Sequence, residues 1–171
     1  VCEEDPFLTA QKMNEYRDTL RRRINVLCEN PAATKVIRAV RGDRNWGKVT
    51  EKKLVVIEAA EIGADAVFPD ENQSISGYGT LIIRGSLRPR ANLNLRWTGD
   101  VFVLGVERID SDLLYLHGSD IRIDGTLLLL SERGGAVSLE LKGSSPSTVS
   151  VHRPTRLDVT GGLLCLADAV G

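Results

Sequence analysis

Few side chains in this sequence could carry out chemistry, and the densest group surrounds one histidine. His117 is flanked by Asp110, Asp112 and Asp120, with serines at neighbouring positions. Such a group arises readily by chance in a chain rich in short apolar runs, so the simpler interpretation is a surface histidine. The chain also lacks a phosphate-binding glycine loop, a Gly-x-Ser-x-Gly elbow and a His-x-x-x-His pair. We therefore predict a protein that is not an enzyme and has no catalytic residues.

Two carboxylates, Asp100 and Asp120, are 20 residues apart. Apolar residues in this part of the chain recur at the same interval, as described below. If successive coils stack, these side chains lie about 4.8 Å apart in the stacking direction. Such a pair could bind a cation such as calcium, or cleave a glycosidic bond in a polysaccharide-active enzyme. Solvation at a corner of the coil is the simpler interpretation. We therefore predict no cofactor and no metal site. If an ion does bind at these carboxylates, calcium is the candidate.

A basic stretch could contact an anionic partner through Arg84, Arg88, Arg90 and Arg96. Arginine forks over phosphates, together with an aromatic ring for base stacking, suit DNA or an acidic surface. Trp97 is the aromatic residue beside them, but it lies two positions after Leu95 and four after Leu93, on the same face of a strand as these leucines. It is therefore predicted to point into the core.

Residues 1–31 are predicted to form one amphipathic helix. Asp5 and Pro6 suit an N-cap and a first helical position. Apolar residues then recur at three- and four-residue spacings, at Met13, Tyr16, Leu20, Ile24 and Leu27. No stretch approaches the roughly 20 apolar residues of a membrane span, so no embedded segment is predicted in this chain. Residues 32–53 form a basic connector.

From residue 54 the pattern changes to short apolar runs with β alternation, and residues 54–171 are predicted to form one β domain. The runs recur at one fixed interval, at Leu81, Val101, Ile121 and Leu141, and again at Ile83, Val103 and Ile123. Glycines recur at the same interval, as the pair Gly79 and Gly99 and as the series Gly85, Gly105 and Gly125. Recurrence at a fixed period indicates stacked structural units.

Twenty extended residues, at about 3.3 Å each, give a perimeter of about 66 Å, which fits one turn of a three-sided coil. The sequence therefore predicts a mainly β fold, a right-handed parallel β-helix with about 20 residues per coil. The recurrent aliphatic residues are its core columns, and the recurrent glycines are its corners. A solenoid must cover its open ends, so the N-terminal helix is predicted to cap the first coil.

One segment resembles a known family. An Asn-Trp-Gly at residues 45–47 is followed by Ser-Gly-Tyr-Gly at 76–79, an aliphatic strand and Gly85-Ser86-Leu87. Trp-Thr-Gly at 97–99 then precedes a second aliphatic strand and Gly105. This pattern resembles bacterial pilus-assembly proteins of the minor-pilin type. The resemblance implies an extracytoplasmic or cell-surface protein that adheres to surfaces, primes assembly or helps to take up DNA.

The resemblance also implies partners among the other subunits of a type IV pilus or related secretion filament. The hydrophobic helix and the cleavage motif of prepilins are absent here, so we expect attachment through a segment missing from this chain. Two alternatives stay open. One is a bactofilin-like cytoskeletal β-helix that polymerises by itself, and the other is a polysaccharide-active β-helix enzyme.

Overall fold

The computed structural model of the 171-residue chain is mainly β, with one helix and a parallel sheet. The residues that it describes are 6–36, 40, 43–58, 73–85, 93–105, 114–117, 119–130, 136–137, 139–142, 155–166 and 169–170. The helix, α1, spans Pro6–Cys28. The strands are β1 Thr34–Val36, β2 Arg44–Trp46, β3 Lys53–Glu58, β4 Gln73–Arg84, β5 Leu93–Leu104, β6 Leu114–His117, β7 Asp120–Asp124, β8 Thr126–Leu130, β9 Ala136–Val137, β10 Leu139–Lys142, β11 Arg156–Val159, β12 Gly162–Leu166 and β13 Ala169–Val170.

The helix begins and ends where its sequence predicts. Pro6 is its first residue, a position at which proline sacrifices no helical hydrogen bond. Beyond Cys28, the side-chain oxygen of Asn30 accepts a hydrogen bond of 2.9 Å from the backbone N–H of Ala32. This Asx-turn reverses the chain around Pro31 and leads directly into β1.

Nine strands form one open sheet in which every pairing is parallel. The hydrogen-bonded order is β1-β3-β4-β5-β7-β11, with β2 beside β4 and with β8 between β5 and β12. Two further parallel pairs, β6 with β10 and β9 with β13, lie outside this sheet. The predicted parallel β architecture is therefore confirmed at the level of the sheet.

The register departs from a constant repeat interval. Leu81 pairs with Val101, as the predicted period requires. Val101, however, pairs with Leu127 and not with Ile121. Leu127 in turn pairs with Leu163, so the sequence separation between paired residues increases again. The prediction that Ile121 follows Val101 in one column is therefore wrong.

The same correction extends to two other predicted core residues, Ile123 and Leu141. Ile121 pairs with Leu95, and Ile123 pairs with Trp97 instead of continuing the column of Ile83 and Val103. Leu141 pairs with Leu116 in the separate β6–β10 pair, so it does not continue the column of Ile121. The side chains of Leu81, Ile83, Val101, Val103, Ile121 and Ile123 are nonetheless all buried, as predicted.

A column of glycines crosses the main sheet. Gly79 pairs with Gly99, and a Cβ placed on Gly99 would lie 2.0 Å from the carbonyl oxygen of Gly79. Gly99 also has a φ of +125°, which only glycine adopts readily. Gly125 stacks on Gly99, and the backbone N–H of Gly161 donates to the carbonyl of Gly125 over 2.9 Å. Backbones therefore approach closely along this line without any side chain between them.

The predicted glycine corners are regrouped accordingly. Gly79 and Gly99 do share a column, as expected, but Gly125 joins that column instead of following Gly85 and Gly105. The N–H groups of Gly85 and Gly105 donate to the carbonyls of Leu104 and Leu130, over 2.7 and 2.8 Å. These two glycines therefore lie at the carboxyl ends of the strands.

The strands change character at the glycine column. In β5, the side chains of residues 93–98 alternate between buried and exposed, whereas Val101, Val103 and Leu104 are buried and Phe102 between them is partly buried. Alternation is typical of a strand with one wet face, and continuous burial is typical of one covered on both faces. We call the parts of the strands before and after the glycine column the first and second strand halves. The first strand halves have one face exposed to solvent, and the second strand halves are covered on both faces.

Helix α1 covers the second halves, which corrects its predicted role as an end cap. Ile24 and Cys28 belong to one buried cluster with Val56, Ile82, Leu104, Leu128, Leu130 and Leu166. The other six residues of the cluster come from β3, β4, β5, β8 and β12, so Ile24 and Cys28 join an apolar cluster on the face of the sheet. A cap would instead contact the edge strand β1 alone.

Candidate functional site

The exposed side of the first strand halves carries a set of polar residues that we call the polar strip. It consists of Ser76, Tyr78, Arg96, Thr98, Arg122 and Asp124, which together with Gly77 and Trp97 line a cleft of about 290 Å³. The pairing aligns Ser76, Arg96 and Arg122 in one column, and Tyr78, Thr98 and Asp124 in the next. Three strands therefore contribute two side chains each to a single surface.

Each arginine of the polar strip has one carboxylate partner. The Arg96 Nη2 atom donates to Asp120 Oδ2 over 2.6 Å, and its Nη1 atom donates to the carbonyls of Leu95 and Asp120. This hydrogen bond from Arg96 lowers the pKa of Asp120 below its usual value. Arg122 instead donates through Nε to Asp124 Oδ1, over 3.2 Å. Arg96 is therefore held through both of its Nη atoms, whereas Arg122 is held on one side.

Two tryptophans and a glycine meet on the buried side of the same strands. Trp46 pairs with Gly77, and Gly77 pairs with Trp97. A Cβ on Gly77 would lie 2.2 Å from the Trp97 ring, so the indole occupies the space that a side chain would need. Trp97 Nε1 donates to the carbonyl of Gly79 over 3.1 Å, and the residue is 1% exposed. The prediction that Trp97 is a core residue is therefore confirmed, and its ring cannot stack on a base.

The four predicted anion-contacting arginines do not form one patch. Arg84 Nη1 lies 3.1 Å from both carboxylate oxygens of Glu58, which is 8% exposed, and Arg96 is paired with Asp120. Two of the four positive charges are thus neutralised by acids that sequence inspection did not assign to them. Arg88 and Arg90 lie outside the described residues.

The structure separates the side chains that could have formed a catalytic or cation site. Asp100 pairs with Thr80, whereas Asp120 pairs with Asn94 and Arg156. Because Asn94 and Asp100 are six positions apart on β5, the two carboxylates are about 20 Å apart along the strand direction. His117 belongs to the separate β6–β10 pair. The proposed carboxylate pair is therefore absent from the described part of the chain.

No metal centre is found where the structure places side chains. Among the described residues, no three His, Cys, Asp or Glu side chains converge in a way that could hold an ion. Cys28 and Cys165 are both free thiols.

The second exposed feature is the first part of α1, residues 11–16, which we call the projecting segment. All six residues are exposed, and Met13 and Tyr16 are 49% and 50% exposed. Further along the same helix, Ile24 is 3% exposed and Leu20 is partly buried. The apolar stripe predicted from the sequence is therefore packed at Leu20 and Ile24 and open at Met13 and Tyr16, and its last residue, Leu27, is 36% exposed.

Sequence reasoning missed most of the polar strip, although the signal was present. Arg122 and Asp124 alternate with Ile121 and Ile123, which marks them as outward-facing. The constant period predicted from the sequence aligned Arg122 with Phe102, however, whereas the actual register aligns it with Arg96. The cleft could therefore be located only after the register was known.

Within the described residues, no helix has both the length and the apolar character needed to cross a bilayer. Comparison of the chain with protein-family models, with curated proteins and with solved structures found no match.

Proposed function

We propose that this chain is a non-enzymatic structural or adhesive subunit of a bacterial cell-surface filament, either a type IV pilus or a related secretion filament. It acts by presenting the surface of a β-solenoid to its partners. The observation that carries the proposal is the division of α1 into a packed half and the projecting segment.

The projecting segment has the character of an unfinished interface. Successive residues of an α-helix are about 100° apart, so Met13, Tyr16 and Leu20 lie on the same side as the buried Ile24. Leu20 and Ile24 use this stripe to pack on the sheet, whereas Met13 and Tyr16 extend it into solvent. A helix whose apolar stripe continues past its own domain can dock on a second helical surface. The contacts are made by apolar side chains three and four residues apart. The helical rods in the interior of a pilus offer such a surface.

The order of the pairings supports a solenoid. Strands β6, β7, β8 and β9 pair in turn with β10, β11, β12 and β13, all in parallel. Two consecutive segments of four strands therefore follow the same path, one above the other, as successive coils would. Parallel crossovers are right-handed in about 98% of cases, which favours a right-handed winding.

Site-specific photo-cross-linking in the bacterium that makes the protein tests this proposal. A photoreactive amino acid replaces Met13 or Tyr16 on the stripe, and Glu15 or Arg22 on the opposite side of α1. We expect adducts with other filament subunits from the two stripe positions. The opposite positions are matched controls because they lie on the same helix and are also exposed.

Equal adduct yields from both sides of the helix would contradict a specific docking stripe. The absence of filament subunits from every adduct would contradict membership of the filament. Either result leaves the described fold unchanged, because the four positions are exposed.

The bactofilin-like alternative is favoured by one observation at the end of the sheet. In the described sheet β12 pairs with β8 alone, and its sequence contains no charged residue and no proline. Its Leu163 and Leu164 are 48% and 38% exposed. An apolar edge strand of this kind is a template for pairing with another chain. Filaments formed by the purified chain, and lost in Leu164→Lys, would support this alternative over a pilus subunit.

A further inference from the structure

We propose that the cleft of the polar strip binds an acidic polysaccharide, with Arg122 recognising a carboxylate on the sugar chain. The cleft lies on the outer side of the first halves of β4 and β5 and on β7, whereas α1 packs on the second strand halves. Its volume of about 290 Å³ is at the small end of ligand sites, which are commonly about 300–1,000 Å³. It therefore fits one sugar unit of a longer chain that lies over the strip.

Arg122 is the group best placed to accept a charged ligand. Its Nε atom is occupied by Asp124, and none of the described residues accepts a hydrogen bond from either of its Nη atoms. Its side chain is 52% exposed. The free edge of a guanidinium group carries two parallel donors, which match the two oxygens of a carboxylate. Arg96 cannot act in the same way, because its Nη atoms already bind Asp120 and Leu95.

The two arginines are held closer together than their charges favour. Arg96 and Arg122 are direct partners on adjacent parallel strands, which are about 4.8 Å apart. Like charges directly opposite each other destabilise a sheet. Asp120 relieves this repulsion at Arg96, and Asp124 relieves it at Arg122, which also has Asp158 as its cross-strand partner on β11. An anion bound beside Arg122 would relieve the repulsion further.

The surrounding groups favour a sugar over a nucleic acid. Ser76, Tyr78 and Thr98 contribute hydroxyl groups that can both donate and accept hydrogen bonds, and Asp124 offers an acceptor. A sugar presents hydroxyls that match them, with one charge per unit. Duplex DNA presents about one phosphate per 1.7 Å of its axis, a denser row of charge than one carboxylate per sugar, and Asp120 and Asp124 would repel it more strongly. The buried Trp97 cannot supply a stacking platform.

Titration calorimetry with the purified chain tests the proposal, with oligogalacturonate as the probe. Its methyl ester is the matched ligand control, because it retains most hydroxyls and loses the charge. We expect Arg122→Gln to weaken binding of oligogalacturonate about tenfold, since a charge-assisted bidentate contact is lost. Added salt should weaken the wild-type interaction as well.

Arg156→Gln is the matched protein control. Arg156 pairs with Asp158 two residues later, as Arg122 does with Asp124, but it does not line the cleft. We expect Arg156→Gln to weaken binding less than Arg122→Gln does, because Arg156 acts on the strip only through its cross-strand partner Asp120. Tyr78→Phe removes one cleft hydroxyl without changing the charge and should weaken binding about threefold. It provides a second test if Arg122→Gln does not fold.

Three outcomes would overturn the proposal. They are the absence of binding at millimolar oligogalacturonate, equal affinity for the methyl ester, and equal losses in Arg122→Gln and Arg156→Gln. Tighter binding of a single-stranded oligonucleotide would also reject a sugar site in favour of nucleic acid. The inference does not rest on filament membership, because the isolated chain is titrated and cross-linking of α1 is scored separately.

Discussion

The glycine column makes the sharpest stability prediction, because the chain contains a matched pair of glycines. Gly125 and Gly162 have nearly the same φ, at +159° and +158°. They differ in their surroundings. A Cβ on Gly125 would lie 2.0 Å from the carbonyl oxygen of Gly99, whereas a Cβ on Gly162 would have nothing within 4 Å. Comparison of Gly125→Ala with Gly162→Ala therefore isolates the close approach of neighbouring strands from backbone strain.

The expected magnitudes follow from these distances. Gly162→Ala should cost about 1 kcal/mol, since it forces an unfavourable φ on alanine without a clash. Gly125→Ala carries the same strain and in addition requires the two strands to separate by roughly 1.5 Å to reach a normal contact. Such overpacking costs about 1–3 kcal/mol, so the two variants should differ by about 2 kcal/mol. For a chain of this length, that difference corresponds to about 4–8 °C in Tm.

Urea unfolding followed by circular dichroism measures the difference. We expect both variants to retain the wild-type m-value, with the midpoint of Gly125→Ala clearly below that of Gly162→Ala. Two variants of equal stability would refute the reasoning, because the backbones along the column would then have room for a methyl group.

Three further predictions concern ionisable groups. Arg84→Gln leaves the buried Glu58 carboxylate without its main partner. Urea unfolding should show a loss of about 2 kcal/mol in the free energy of unfolding. Addition of Glu58→Gln should partly restore it. The pKa of Asp120 is lowered in the folded state, so the stabilisation that it provides is complete above its unfolded pKa and is lost as the pH falls through the lower folded pKa. Arg96→Gln should raise the folded pKa of Asp120 in an NMR titration, and an unchanged value would contradict the assigned cause. Burial raises the pKa of the Cys28 thiol, so alkylation at neutral pH, followed by mass spectrometry, should be slow until the chain is unfolded.

The sequence predicted which residues point inward more reliably than it predicted which residues stack on each other. The column that contains Leu81 continues through Val101, Leu127 and Leu163, and each of these partners is an even number of positions from the one before. Side chains alternate with a period of two along a strand, so any even shift keeps an inward residue inward. Ile121 was therefore correctly predicted to be buried and assigned to the wrong column. Only the lengths of the connections decide the column, and their residues carry no comparable periodic signal.

The position of α1 illustrates a second limit of the sequence. The apolar stripe of the helix predicts that it packs on an apolar surface, and the buried Ile24 agrees. The sequence contains two such surfaces, however. One is the open end of the first coil, and the other is the continuous apolar run of the second strand halves, such as residues 54–57. Continuous apolar runs of this kind predict strands covered on both faces, and this signal would have favoured the position that is observed.

Hydrogen exchange of residues 11–16 tests most directly whether this helix is a docking element. In the purified chain, the projecting segment should exchange rapidly, whereas residues 20–28 should be protected by their packing on the sheet. If the chain is a filament subunit, as we propose, addition of the other subunits should protect residues 11–16 and leave the rest of the helix unchanged. Continued rapid exchange of these residues in assembled filaments would contradict the account.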